Sequence, residues 1–98
     1  GDTWLSIATR NDMMLWQVLK YNDAEKYTPV YPNSVIYIKP KRGSSKKGQH
    51  FVREDETLYD ISQLYGVKLK KLRSYNKLAP DAELKEGQSI LLRKPKRI

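Results

Sequence analysis

Short apolar runs near both ends of the second half of the chain predict two strands. Residues 49–53 read Gln-His-Phe-Val-Arg, and residues 89–93 read Ser-Ile-Leu-Leu-Arg. Both runs are rich in β-prone side chains and follow glycine-containing stretches, as strands commonly do. Two strands separated by helices pair most simply as an antiparallel ribbon, so we expect such a ribbon with the intervening helices covering one face.

Between these runs, the apolar positions follow helical spacing in two stretches. The first helix is predicted to begin after the N-cap Thr57, because Asp60 stands three residues on, as in a capping box. It is predicted to end at Gly66, since glycine adopts the left-handed conformation without penalty. The second helix closes near Asn76. The two apolar stripes comprise Leu58, Ile61 and Leu64/Tyr65, and then Val67, Leu69, Leu72 and Tyr75.

The first half of the chain repeats the same order of elements. Thr3 aligns with Thr57, 54 residues later, and the same shift continues without a gap to the end of each copy. The other identical pairs are Ile7 and Ile61, Leu15 and Leu69, Tyr21 and Tyr75, Asn22 and Asn76, and Ile36 and Ile90. A constant register over this length indicates an internal duplication. We therefore predict an α+β fold made of two small βααβ modules in tandem.

The first copy has no counterpart of the strand at residues 49–53, because that counterpart would precede Gly1. We expect the first module to lack its first strand in this chain, and the parent protein to extend upstream. Residues 35–38, Val-Ile-Tyr-Ile, are predicted as the closing strand of this module. Its unpaired edge would be open to pairing with another chain.

The charge is strongly positive and unevenly placed. Nineteen Lys and Arg against eleven Asp and Glu give a net charge of +8, which attracts polyanions. Much of it lies in residues 40–48, which are rich in Gly, Ser and Lys and are typical of a flexible linker. The predicted organisation is module 1 at 1–40, a basic linker at 41–48, module 2 at 49–94 and a basic tail at 95–98.

Residues at ordered positions in both copies resemble the pattern of the LysM (lysin motif) family. In the second copy these are Val52, 55–58, 61–62, 65–66, Leu72, Asn76, Leu84 and 87–90, and in the first they are 1–4, 7–8, Val18, Asn22 and 35–38. The family is a βααβ module that binds polymers containing N-acetylglucosamine, chiefly peptidoglycan and chitin. The tandem pair resembles the C-terminal LysM pair of bacterial glucosaminidase-type cell-wall hydrolases. The resemblance implies non-catalytic glycan binding that anchors an attached enzyme, in the cell envelope or secreted.

In this family, the sugar lies in a shallow groove between the loop after the first strand and the loop before the last. Carried over by position, the resemblance implies a first-module site of Gly1, Asp2, Thr3, Trp4, Asn22, Asp23, Ala24 and Val30. It implies a second-module site of Asp55, Glu56, Thr57, Leu58, Asn76, Lys77, Leu78, Ala79 and Leu84. Asp55 departs from the usual glycine of the first loop, and Asn33 replaces a glycine in a turn where Asn can still adopt the left-handed conformation.

Several of these residues have a structural interpretation as well. Thr3 and Thr57 are expected first of all to cap helices, whatever else they do. Asn22 and Asn76 end helices, where Asn is common for structural reasons. Trp4 fits the core and a sugar contact equally well. His50 is the only histidine, and we expect it to be structural.

Catalysis is not expected of this chain, and neither is a metal or a cofactor. A glycosidase needs two carboxylates about 5–10 Å apart across a cleft, whereas Asp55 and Glu56 are neighbours in one loop. The chain has no cysteine, and no apolar run approaches the roughly 20 residues of a membrane span. Two other functions stay open: binding of nucleic acid or another polyanion, such as an anionic envelope polymer, and a protein-interaction module. Steep salt dependence would distinguish the polyanion binder.

Overall fold

The structure, a computed structural model, describes residues 3–95. The chain divides into two compact units, Gly1–Lys41 and Arg42–Ile98. The first unit contains helices α1 (Trp4–Arg10) and α2 (Leu15–Tyr21), and the second contains strand β1 (Gln49–Phe51), helices α3 (Leu58–Tyr65) and α4 (Leu69–Asn76), and strand β2 (Ser89–Leu91). The predicted α+β class, with a repeated pair of helices and an antiparallel ribbon, is confirmed.

The ribbon of the second unit pairs β1 with β2 in antiparallel register, with His50 opposite Ile90. Both strands are shorter than the predicted runs at 49–53 and 89–93. The extended pairing ends beside Phe51 because the partner backbone turns at Gly87, which has a φ of 84°. The Val52 N–H still donates to Gln88 O at 2.9 Å, so the chain stays attached beyond the strand.

The core of the second unit lies between the ribbon and the two helices. Successive strand residues point to opposite faces, so His50 and Ile90 are buried while Phe51 is 58% exposed. The buried apolar cluster consists of Val52, Ile61, Val67, Leu72, Ile90 and Leu92, with Leu58, Tyr65, Leu78 and Leu84 packed against it. Burial of these side chains is the main source of stability in so small a unit.

The ends of α3 have the local structure that the sequence predicts. The Thr57 hydroxyl accepts from the Asp60 N–H at 3.2 Å, and the Asp60 carboxylate accepts from the Thr57 N–H at 2.9 Å. Gly66 ends the helix in the left-handed conformation, with a φ of 67°. The next helix starts at Leu69 rather than Val67, because Val67 forms a parallel β-bridge with Arg42.

The first unit repeats this backbone with other residues at its turns. Thr3 caps α1 through a capping box with Ser6. Asp12 and Asn33 adopt the left-handed conformation at the positions equivalent to Gly66 and Gly87, which confirms the expectation for Asn33. The buried cluster consists of Trp4, Ile7, Ala8 and Val18, with Met13, Leu15, Leu19, Ala24, Val30 and Ile36 packed against it.

The prediction of a strand at residues 35–38 is wrong. Among residues 3–41 there is no strand with which it could pair, and a lone extended segment has no ladder of hydrogen bonds. Ile38 is 47% exposed, whereas its counterpart Leu92 is fully buried. The segment is nevertheless held in place, because the Asn22 side chain accepts from the Tyr37 N–H at 2.7 Å and donates to Tyr37 O at 2.8 Å.

Part of the segment predicted as a linker lies against the second unit. The Arg42 N–H donates to Gly66 O at 2.8 Å, and the Tyr75 hydroxyl donates to Gly43 O at 2.7 Å. The Ser45 N–H donates to Leu92 O at 2.9 Å. These bonds place residues 42–45 beside α4 and the end of β2; the flexibility of the segment stays a prediction.

Candidate functional site

A groove of about 250 Å³ opens in the second unit between the start of α3 and the chain that follows α4. It is lined by Thr57, Leu58, Tyr59, Leu69, Arg73, Leu78, Ala79, Pro80, Asp81 and Ala82. Four residues that the resemblance implies as a site are brought together here: Thr57, Leu58, Leu78 and Ala79. Thr57 and Leu58 lie at the start of α3, and Leu78 and Ala79 lie in the loop after α4.

Local backbone geometry sets the shape of the groove. Lys77 adopts the left-handed conformation at the end of α4, with a φ of 53°, and turns the chain away from the helix axis. The Leu78 N–H then donates to Arg73 O at 2.9 Å, and the Ala82 N–H donates to Ala79 O at 3.1 Å. These two bonds hold the wall formed by residues 78–82 opposite the start of α3.

The lining of the groove combines apolar walls with a few polar groups. Leu58, Leu69 and Leu78 provide aliphatic surface, while Arg73 and Asp81 provide one charge of each sign. Within residues 3–95, the half-buried Arg73 side chain forms no ion pair, and the Ala79 N–H forms no hydrogen bond. A lining of this kind suits a largely neutral ligand that carries amide and hydroxyl groups.

The structure places the other sequence-predicted residues of the second unit around the groove rather than in its lining. Asp55 is exposed and has a φ of 58°, a conformation that Asp tolerates better than most residues, so the loop keeps a left-handed turn without glycine. Lys77 is exposed, and Leu84 packs against the core. The remaining two predicted residues, Glu56 and Asn76, form hydrogen bonds within the unit.

The Glu56 side chain lies in a buried network with His50 and Tyr65. Its Oε1 lies 2.7 Å from His50 Nε2 and accepts from the Arg53 N–H at 3.0 Å, and the Tyr65 hydroxyl lies 2.7 Å from His50 Nδ1. Burial alone would raise the pKa of the Glu56 carboxyl. The Arg53 N–H and His50 outweigh that effect, so the pKa lies below its usual value. The network fixes the loop that leads into Thr57.

The Asn76 side chain forms hydrogen bonds with the backbone of its own unit. Its amide donates to Leu72 O at 2.8 Å and to Leu91 O at 2.9 Å, and it accepts from the Leu91 N–H at 2.7 Å. Asn22 makes the same bonds to Val18 and Tyr37 and is fully buried. Both amides are therefore occupied within the fold.

In the first unit, the predicted residues meet different surroundings. Gly1 and Asp2 lie outside the described residues. Trp4 is 4% exposed, and its indole N–H donates to Thr28 O at 2.7 Å, so it belongs to the core. By the 54-residue shift, Trp4 is equivalent to Leu58 and Thr28 to Ala82. In the first unit, an indole therefore joins the two segments whose counterparts flank the groove in the second unit. Thr3 is exposed, while Ala24 and Val30 pack against the core.

Asp23 is engaged by a buried lysine. The Lys41 ammonium donates to Asp23 Oδ2 at 2.9 Å, and the Lys41 side chain is fully buried while that of Asp23 is 25% exposed. The ammonium also lies 5.4 Å from the centre of the Tyr37 ring. Burial lowers the pKa of Lys41, and the bond and charge of Asp23 only partly offset this. The pair ties the end of α2 to the end of the unit.

Residues 3–95 contain no group of three His, Cys, Asp or Glu side chains that could hold a metal ion. The same residues contain no helix long and apolar enough to cross a membrane. The groove itself contains one carboxylate, that of Asp81. Glycoside hydrolysis ordinarily requires two carboxylates across a cleft.

The repeat and the paired helices agree with a comparison of the sequence with protein families. The LysM domain matches residues 1–39 and 50–93, which together are most of the chain. The chain belongs to the LysM family. It consists of two LysM modules, and no catalytic domain is evident in the residues that the structure describes. The LysM family as a whole implies binding of peptidoglycan or chitin.

No curated protein matches the chain. Among solved structures, it is similar to the crystal structure of the Bacillus cereus spore cortex-lytic enzyme SleL, with 24% sequence identity and a TM-score of 0.45. The match covers 98% of this chain and 21% of that chain, so the two LysM modules span about a fifth of the length of that enzyme.

Sequence reasoning did not point to six of the residues that line this candidate groove in the second module. They are Tyr59, Leu69, Arg73, Pro80, Asp81 and Ala82. One signal was available: Leu69 and Arg73 stand four residues apart on the predicted second helix and therefore share a face. The contribution of residues 80–82 depends on how the loop folds back, which a linear pattern does not reveal.

Proposed function

We propose that the second LysM module binds polysaccharide containing N-acetylglucosamine, peptidoglycan or chitin, in the groove between residues 57–59 and 78–82. One observation carries the proposal: four residues implied by the resemblance, from loops distant in sequence, line the same groove. An N-acetylglucosamine unit presents an amide, hydroxyls and a methyl group. Leu58, Leu69 and Leu78 offer apolar surface to the methyl, while Thr57, Arg73 and the Ala79 N–H offer polar partners.

The first module differs at this place, because Trp4 joins its two loops through Thr28. We propose the second module as the principal glycan site; sugar binding by the first stays a prediction. Linked modules gain effective concentration along a repetitive polymer, so even a weaker first site would add to retention. The wider role proposed is to hold an attached cell-wall enzyme close to its substrate in the bacterial cell envelope.

The decisive experiment transfers the first module's tryptophan into the groove. In L58W, the indole occupies the position that Trp4 has in the first module, and we expect affinity for soluble N-acetylglucosamine oligomers to fall at least tenfold. L64W is the matched control, because Leu64 lies on the same helix, is 55% exposed and does not line the groove. Calorimetric titration of both variants gives the comparison. Equal affinity of L58W and L64W would refute the groove as the site.

Retention on insoluble peptidoglycan and chitin extends the test to polymers. Binding through the groove is expected to persist at high salt and to be competed by soluble oligomers, since the sugars are uncharged. Binding that disappears at high salt and resists the oligomers would favour the polyanion alternative.

A further inference from the structure

A second groove lies on the outer face of the ribbon in the second unit, and it shares no lining residue with the glycan groove. Its volume is about 650 Å³. It is lined by Lys47, Gly48, Gln49, His50, Phe51, Leu91, Arg93, Lys94 and Pro95. The side chains of β1 and β2 that point away from the helices form its floor.

The charge of this groove is of one sign. Three of its lining residues, Lys47, Arg93 and Lys94, are cationic and exposed, and none of the lining residues, all of which the structure describes, is Asp or Glu. None of the three cations forms an ion pair with a carboxylate within residues 3–95. Such a cluster lowers the energy of any anion that enters the groove.

Two of these cations lie close to neighbouring residues. The Lys47 ammonium lies 5.6 Å from the centre of the Tyr65 ring, within the range of a cation–π contact. The Arg93 guanidinium lies over Gly48, where an added Cβ would be 3.5 Å from Arg93 Nη2. The floor between them is apolar at the 58% exposed Phe51 and at Leu91.

We propose that this groove, the ribbon groove, binds phosphodiester-linked anionic polymer of the polyol-phosphate type. The argument is charge complementarity: three cations in a lining that contains no Asp or Glu fit a chain that repeats one negative charge per unit. The lining offers one exposed aromatic ring, that of Phe51, so base stacking has little to act on and the phosphates carry the binding.

The test uses the whole chain and a linear poly(glycerol phosphate) as the probe. We expect measurable binding at 50 mM salt that weakens about 20-fold at 200 mM, as expected for roughly three neutralised phosphates. The triple variant K47A/R93A/K94A is expected to lose at least tenfold in affinity at 50 mM salt. No binding of the probe to the wild-type chain would overturn the proposal.

The matched control is K70A/K71A/K85A, which also removes three exposed cations but none from the ribbon groove. Its affinity is expected to change less than twofold. An equal loss in both triple variants would show a general effect of net charge and overturn the site. If the groove variant does not fold, as judged by circular dichroism, the single variant K94A of an exposed residue carries the same comparison against K85A.

Single-stranded DNA with the same number of charges distinguishes a preference for nucleic acid from a preference for the polyol phosphate. If DNA binds more tightly than poly(glycerol phosphate), and F51A removes that difference, the groove reads bases and the polyol-phosphate assignment is wrong. Comparable affinity for both, unaffected by F51A, supports recognition of the phosphates alone. Loss of glycan binding in L58W with retained phosphate binding would show that the two grooves act separately.

Discussion

The side chain of Asn76 binds both backbone groups of Leu91: its amide donates to Leu91 O at 2.9 Å, and its oxygen accepts from the Leu91 N–H at 2.7 Å. The end of α4 is thereby closed onto β2. Asn22 and Tyr37 have the same relationship in the first unit, in whose described residues there is no strand. The hydrogen bonds of the Asn side chain are therefore common to both units, whereas the ribbon is described in the second unit.

Replacing Asn76 is expected to destabilise the module rather than to remove a ligand contact. N76A leaves the Leu91 N–H and carbonyl without their partners, which is expected to lower the free energy of unfolding by about 3 kcal/mol. S74A, an exposed change on the same helix, is expected to stay within about 0.5 kcal/mol of the wild type. Urea denaturation followed by circular dichroism gives both values. Unchanged stability of N76A with lost glycan binding would instead make Asn76 a direct ligand.

The buried pair of Lys41 and Asp23 predicts a non-additive mutant cycle. D23A leaves the fully buried ammonium without its carboxylate, and we expect a loss of about 3 kcal/mol. K41M leaves Asp23, which is partly exposed and can be hydrated, so its cost is expected to be smaller. The double variant is expected to be more stable than D23A alone. Additive losses in urea denaturation would show that the two charges are not coupled.

Low pH is expected to reduce the contribution of the Glu56 carboxyl to the stability of the second module. Because the folded pKa of this carboxyl is lowered, its contribution to stability is complete above the unfolded value near 4.3 and is lost as the pH falls through the folded pKa. E56Q is expected to be about 1 kcal/mol less stable than the wild type at pH 7 and nearly equal to it in strong acid. E54Q alters an exposed glutamate two residues earlier in the chain and serves as the control. A difference that does not change between pH 7 and pH 3 would contradict this assignment.

Arg73 is expected to contribute to glycan affinity through hydrogen bonds from its guanidinium. R73L installs the residue that the first module has at this position, Leu19, and preserves apolar packing. Affinity for N-acetylglucosamine oligomers is expected to fall about tenfold, as for the loss of one charge-assisted hydrogen bond. R53A removes an exposed arginine outside the groove and is expected to have little effect. Calorimetry that finds no difference between the two variants would exclude Arg73 from the site.

Much of the fold could be predicted because its signals are local. The capping box at Thr57, the left-handed Gly66 and the helical stripes depend on residues close in sequence, and the repeat supplied the N-cap threonine and the helical stripes twice. The prediction of a strand at residues 35–38 failed because a strand needs a partner, and a short apolar run contains no information on whether one is present.

The candidate site was predictable only in outline. The resemblance implied Leu58 and Leu78, which both line the groove, but it could not reveal that Trp4 is buried or that the loop after α4 brings Asp81 back towards α3. Those outcomes depend on side-chain packing and on the left-handed turn at Lys77. The amide of Asn76 could satisfy a ligand or a backbone equally well, and only its surroundings decide between them.

The placement of the aromatic residues has a spectroscopic consequence. Both tryptophans of the chain, Trp4 and Trp16, lie in the first unit, and Trp4 is 4% exposed while Trp16 is 58% exposed. Indole fluorescence therefore reports on one module alone, and its red shift on unfolding comes chiefly from Trp4. The other module is silent in this signal but contributes to far-ultraviolet dichroism, so the two optical methods together can follow the unfolding of each half of the duplication separately without an added label.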